Sequence, residues 1–203
     1  MKKIFSSSTL SMVAAVVTIS PSIASAQQAQ ERAWSIGISA NYATVGGDAF
    51  QFIPDGGGMT FSTSRRMSPI FAFGGGLSIS LHEFTAGSPD ALVDGDPNTN
   101  TGGFVTLYVE STVYFPLEVI GFTPYAGGRF GFMSGDFSHA SAGWQVGAVG
   151  GVLMPLNGRV SLDLNVTANA VFTHQYDLPI IVAKSPWGRV LSAQSGVVVR
   201  LGH

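Results

Sequence analysis

The chain has 203 residues, enough for one domain, and no cysteine, which excludes a disulfide-stapled secreted module. Its 12 acidic and 10 basic residues give a net charge of −2, a balance that argues against a nucleic-acid partner. Charged residues make up 11% of the chain, less than half the usual share of about a quarter, and the 26 glycines are nearly twice the usual share. A soluble exported domain would coat itself with charge, and this chain does not.

Residues 1–26 read as a secretory signal peptide. The start "MKK" is basic, "TLSMVAAVVTI" is an apolar run too short to span a bilayer, and "SPSIASA" ends in the cleavage pattern Ala24-Ser25-Ala26. No cysteine follows the run, so lipoprotein processing is excluded. Removal after Ala26 takes Lys2 and Lys3 away and leaves one domain, 27–203, with a net charge of about −4. No later window reaches the roughly 18 apolar residues of a membrane helix. An exported chain with low charge, high glycine content and period-two patterning points to a transmembrane β-barrel.

The patterning supplies eight strands in chain order. "WSIGISANYATV" opens at Trp34, with Trp34, Ile36, Ile38, Ala40 and Tyr42 on one face. After the loop "GGDAFQFIPDGGG" comes a weaker strand, "MTFSTSRR", from Met59, then the turn "MSP" and "FAFGGGLSISLHEF" from Phe71. A long Asp/Asn/Pro-rich loop leads to "FVTLYVESTVYF" from Phe104. "FTPYAGGRFGFMS" from Phe122 and "AGWQVGAVGGVLM" from Ala142 are joined by "GDFSHAS". The turn "PLNG" enters "VSLDLNVTANAVF" at Val160, and "HQYDLPIIVAKSPWG" crosses to "RVLSAQSGVVVRLGH" from Arg189. Long connections alternate with short ones, as external loops and periplasmic turns do in an outer-membrane barrel, which places both termini on the periplasmic side. The expected fold is all-β: an eight-stranded antiparallel up-and-down transmembrane barrel.

In such a barrel the apolar faces meet lipid. Phe71, Phe73, Leu77, Ile79 and Leu81 form one such face, Val105, Leu107, Val109, Val113 and Phe115 another, and Leu191, Ala193, Val197, Val199 and Leu201 a third. None carries a charge, and Arg or Lys at the bilayer midplane would cost roughly 2–4 kcal/mol. Trp34, Tyr42, Phe115, Phe122, Trp144, Phe172 and Trp187 lie near strand ends, where aromatic girdles belong. The opposite faces gather Ser, Thr, Asn, Gln and Tyr with four charges: Glu110, Arg129, Asp163 and Arg200. Eight strands enclose just enough room for side chains to fill. These four are expected to form a mutually neutralising network, with Asp163 paired to Arg129 or Arg200, acting as a structural plug. The alternative is an ion gate built from the same residues.

The pattern resembles the small eight-stranded outer-membrane β-barrel family, of the OmpA transmembrane-domain and OmpX type, over Ala33 to His203. The resemblance implies an integral outer-membrane, porin-like protein of a Gram-negative cell envelope. It implies outer-membrane lipid and lipopolysaccharide as surroundings, the barrel-assembly machinery as a partner during insertion, and a monomer. Members usually end on an outward aromatic residue, where this chain has His203. Such proteins serve as membrane-integrity elements, adhesins, narrow pores or lipid-modifying enzymes.

Sharper sites carry less. His139 and Ser141 resemble the His-x-Ser pair of eight-stranded lipid A deacylases, but no Glu follows Glu118 to orient the base, and parity points both residues into the lumen. No enzyme activity and no cofactor are therefore expected. His82, His139 and His174 fall near the external rim without metal-ligand spacing and are expected to be solvated. Asp94, Asp96, Asn98 and Asn100 start like a calcium loop, but Thr99 and Val105 stand where it needs Gly and an acid. Gly74 to Gly76 lie within a strand with no following helix, so they suit barrel curvature and close packing better than a phosphate cradle. The apolar loops "AFQFIP" and "LPIIVAKSPW" suit folding over the barrel mouth, or else a sticky patch. The sequence is read as a structural or surface-interaction barrel. A narrow pore is the runner-up, and a lipid A-modifying enzyme or a soluble lipocalin-like binder lies further off.

Overall fold

Backbone groups inside a bilayer can be satisfied only within the protein, and eight short amphipathic strands can do this only by closing on themselves. A computed structural model describes residues 33–47, 50, 53–83, 101–115, 121–135, 142–174 and 187–201. Its strands are β1 (Trp34–Gly46), β2 (Gly56–Ser68), β3 (Phe71–Glu83), β4 (Thr101–Tyr114), β5 (Thr123–Gly135), β6 (Ala142–Pro155), β7 (Val160–His174) and β8 (Trp187–Leu201). Each pairs antiparallel with the next. β1 also pairs with β8, from Trp34↔Leu201 to Gly46↔Arg189, which closes the barrel and removes every sheet edge.

The period-two faces fall as the sequence requires. In β7 Leu164, Val166 and Ala168 are exposed on the outside, while Asn165, Thr167 and Asn169 are buried within. Leu107 and Val166 are 64% and 62% exposed, values that would suit surface lysines in a soluble protein. Trp34, Phe115 and Phe122 ring the short-turn end, and Trp144 and Trp187 the long-loop end, all exposed. Phe132 and Phe130 pack on Trp144, and Phe172 packs on Trp187.

The second strand begins three residues earlier than its side chains suggest. Gly56 to Gly58 have no pattern to read, yet Gly57 sits between Tyr42 on β1 and Leu81 on β3. Both neighbours reach that level, so pairing there satisfies backbone groups regardless of side chain. The β2–β3 register shifts between Arg66 and Ser68, a bulge that ends the strand while leaving Arg66 turned inward.

Polar side chains fill the middle of the barrel, and its apolar core sits at the long-loop end. There Phe50 and Ile53, from the segment between β1 and β2, are buried with Phe104, Met133 and Val171, against Val45 and Val190. Phe50 meets Phe104 edge-on at 5.6 Å. Opposite them is Gly188, where a Cβ would overlap the Phe50 ring, so glycine makes the space that the ring occupies. The expectation that "AFQFIP" folds over the mouth holds for Phe50 and Ile53. The segment "LPIIVAKSPW" lies outside the described residues up to Pro186.

Candidate functional site

The lumen is built in layers. Asn41 on β1 donates to Thr60 (3.0 Å) and Ser78 (3.1 Å), and Thr60 donates to Ser78 (3.0 Å), tying three strands together across the interior. Thr167 and Ser192 share a 2.7 Å bond between β7 and β8. Nearer the short turns, β4 and β5 bring Glu110 and Arg129 directly opposite each other. Arg129 donates from Nε (2.9 Å) and Nη2 (2.6 Å) to the same oxygen, Oε2 of Glu110. Its guanidinium also lies 3.9 Å from the centre of the Tyr108 ring. That ring fits because Gly76 faces it: a Cβ there would stand 2.6 Å from the Tyr108 hydroxyl. The Gly74–Gly76 run thus serves close packing inside β3.

All four charges expected in the interior line the lumen, but they do not form one network. Glu110 and Arg129 pair with each other. Asp163 does not take an arginine. Its Oδ1 accepts from the Tyr125 hydroxyl at 2.8 Å and its Oδ2 from Asn165 Nδ2 at 2.9 Å. Asn165 lies two residues along the same strand and Tyr125 reaches across from β5, so the carboxylate is satisfied where it stands. Arg200, on β8, lines the same cavity as Asp163 and Glu110 but makes no ion pair with either among the described residues. A further charge, Arg66, is absent from the set expected from sequence. It stacks 4.3 Å over the Tyr114 ring on the same cavity wall. Alternation along "TFSTSRR" is the available signal, since Arg66 continues the inward parity of Thr60, Ser62 and Ser64.

His82 also departs from expectation. A solvated rim histidine is expected there, yet the residue is fully buried. Its ring meets Phe104 edge-on at 5.2 Å, Nδ1 lies 2.8 Å from the Pro54 carbonyl and Nε2 lies 3.0 Å from Ser80 Oγ. Phe50, Ile53 and Pro54 turn inward over this end of the barrel, and the ring in turn holds Pro54 by its backbone carbonyl. Among the described residues no group of three His, Asp or Glu side chains is placed to hold a metal ion. The His139/Ser141 pair and the Asp94–Asn100 run lie outside the described residues, as does the His174 side chain.

Comparison with solved structures agrees with this architecture. Neisserial surface protein A matches with a TM-score of 0.58 at 15% identity, covering 83% of this chain and 97% of that one. The fold is that of the small outer-membrane β-barrels. The outer membrane protein AlkL, solved in DMPC lipid bilayers, shares this barrel fold at a TM-score of 0.56 and 13% identity, covering 85% of this chain and 92% of that one. Ail, the attachment invasion locus protein of Yersinia pestis, solved with the heparin analogue sucrose octasulfate, has the same barrel at 0.54 and 13% identity, covering 84% and 99%. No family model matches the chain, and no curated protein matches it either.

Proposed function

We propose that this chain is an integral outer-membrane barrel with a closed lumen, serving as a structural or surface-interaction element and carrying no catalytic activity. The observation that carries the reading is the stopper at the long-loop mouth, where Phe50 is 1% exposed on Phe104 and against Gly188. The Glu110–Arg129 pair supports it, because these two side chains fill part of the interior at a second level. The charge-free outer band favours a bilayer, with lipid and lipopolysaccharide as its surroundings and no second chain required. In this reading residues 1–26 direct export and are cleaved, the barrel-assembly machinery inserts the chain, and the long loops face outward. A surface-interaction role fits the company of Ail, whose structure holds a heparin analogue.

Planar-bilayer recording of the purified protein tests the reading against a narrow pore gated by Glu110, Arg129, Asp163 and Arg200. The expected record has no resolved channels. Stable channels abolished by Asp163→Ala would establish the pore and overturn the closed lumen. Recovery of the chain in the soluble periplasmic fraction would overturn the membrane assignment, as would gel migration unchanged by heating.

A further inference from the structure

Below the Glu110–Arg129 pair the lumen widens into a cavity of ≈90 Å³ that reaches the short-turn end, with exposed Arg159 at its rim. Arg66, Arg159, Arg200, Glu110 and Asp163 all line it. Leaving Arg159 at the rim aside, the three interior guanidiniums of Arg66, Arg129 and Arg200 stand against two carboxylates among the described residues, an excess of one positive charge. The carboxylates are also the better satisfied groups. Glu110 holds Arg129, and Asp163 accepts from Tyr125 and Asn165. Among the described residues neither Arg66 nor Arg200 has a carboxylate within ion-pair distance.

The strand register brings these two arginines together. Arg200 stands opposite Ser35 on β1, and the Arg66 N–H donates to the Ala33 carbonyl at 3.2 Å, so a single strand separates them. Two cations converging on one enclosed space are unfavourable unless an anion stands between them. Guanidinium forks match the oxygens of a phosphate-like anion, and the Ser35, Ser161 and Tyr114 hydroxyls on the same wall supply further donors. The size of the space fits as well. A water needs roughly 10–15 Å³ of such space, so the cavity has room for a tetrahedral oxyanion together with a few waters.

We propose that this vestibule binds a small inorganic oxyanion of the phosphate class, clamped between Arg66 and Arg200, with Arg159 drawing it in at the rim. The site opens toward the short-turn end and needs no conduction through the barrel.

Calorimetric titration of the purified barrel in maltoside micelles with inorganic phosphate, at low ionic strength, tests it. Saturable binding at one site per chain is expected, with sulfate competing. Arg66→Gln and Arg200→Gln should each weaken it roughly tenfold or more, the loss expected of a charge-assisted contact. Arg189→Gln, facing outward at the opposite end, should leave the affinity unchanged. Heat-modifiable migration verifies that each variant is a folded barrel, and Arg200→Lys, which keeps the charge but loses the fork, should retain intermediate affinity. Absence of saturable phosphate binding by the unaltered protein would overturn the proposal. So would wild-type affinity in both Arg66→Gln and Arg200→Gln.

Discussion

Separating Glu110 from Arg129 tests whether the barrel interior is held as a plug. The side chains are 19% and 7% exposed, and their 2.6 Å contact is reinforced by the Tyr108 ring 3.9 Å from the guanidinium. Removing one member of a buried pair leaves an uncompensated charge and costs about 3–5 kcal/mol. The two single replacements should not be equal. Glu110→Leu leaves a guanidinium that stays charged at any accessible pH, whereas Arg129→Met leaves a carboxyl group that a proton can neutralise. Glu110→Leu should therefore fall near the top of that range and Arg129→Met near the bottom. The double variant buries neither charge and should cost at least ~2 kcal/mol less than the sum of the singles. Reversible urea unfolding in lipid vesicles, followed by the fluorescence of Trp34, Trp144 and Trp187, supplies the three values. Additive singles, or singles each below about 1 kcal/mol, would refute the reasoning.

Three further outcomes follow from other contacts. Leu107→Arg places a cation in the most exposed part of the apolar band and should cost roughly 2–4 kcal/mol by the same unfolding assay, against near zero if that face met water. Tyr125→Phe removes one of the two donors on Asp163 and should cost about 1–3 kcal/mol, whereas Tyr42→Phe, which loses only an exposed 3.0 Å bond to Asp55, should stay within about 0.5 kcal/mol. Gly188→Val fills the space of the Phe50 ring and should drive the stopper out, read as faster chymotryptic cleavage at Phe50 in a barrel that still shows heat-modifiable migration. Unchanged cleavage would mean that the ring does not depend on that space.

The fold is legible because a period of two survives along every strand and each face has one dominant solvent. In β7 the even positions from Val160 and the odd positions from Ser161 to Asn169 separate cleanly, and the structure keeps that parity. Strand limits are less legible where side chains say little, as at Gly56 to Gly58, whose pairing is decided by the reach of β1 and β3. The interior is legible as a set of residues but not as a set of bonds. Parity puts Glu110, Arg129, Asp163 and Arg200 inside, but only register sets Glu110 opposite Arg129 and leaves Asp163 beside Asn165 and Tyr125. The burial of His82 is hidden because the pattern near the strand end does not reveal that Phe50, Ile53 and Pro54 fold back over it. Arg66 escapes notice because the pair Arg65-Arg66 at a strand end resembles a solvated rim, although the two side chains face opposite sides of the wall.

The central claim is that the apolar faces meet lipid and the polar faces fill the barrel. Reconstitution with a lipid carrying a photoactivated carbene on its acyl chain, followed by mass-spectrometric mapping of the adducts along β7, tests it without altering a residue. Adducts are expected on Leu162, Leu164, Val166 and Ala168, with Asp163, Asn165, Thr167 and Asn169 spared. Labelling of the odd positions, or the absence of any alternation, would contradict the claim.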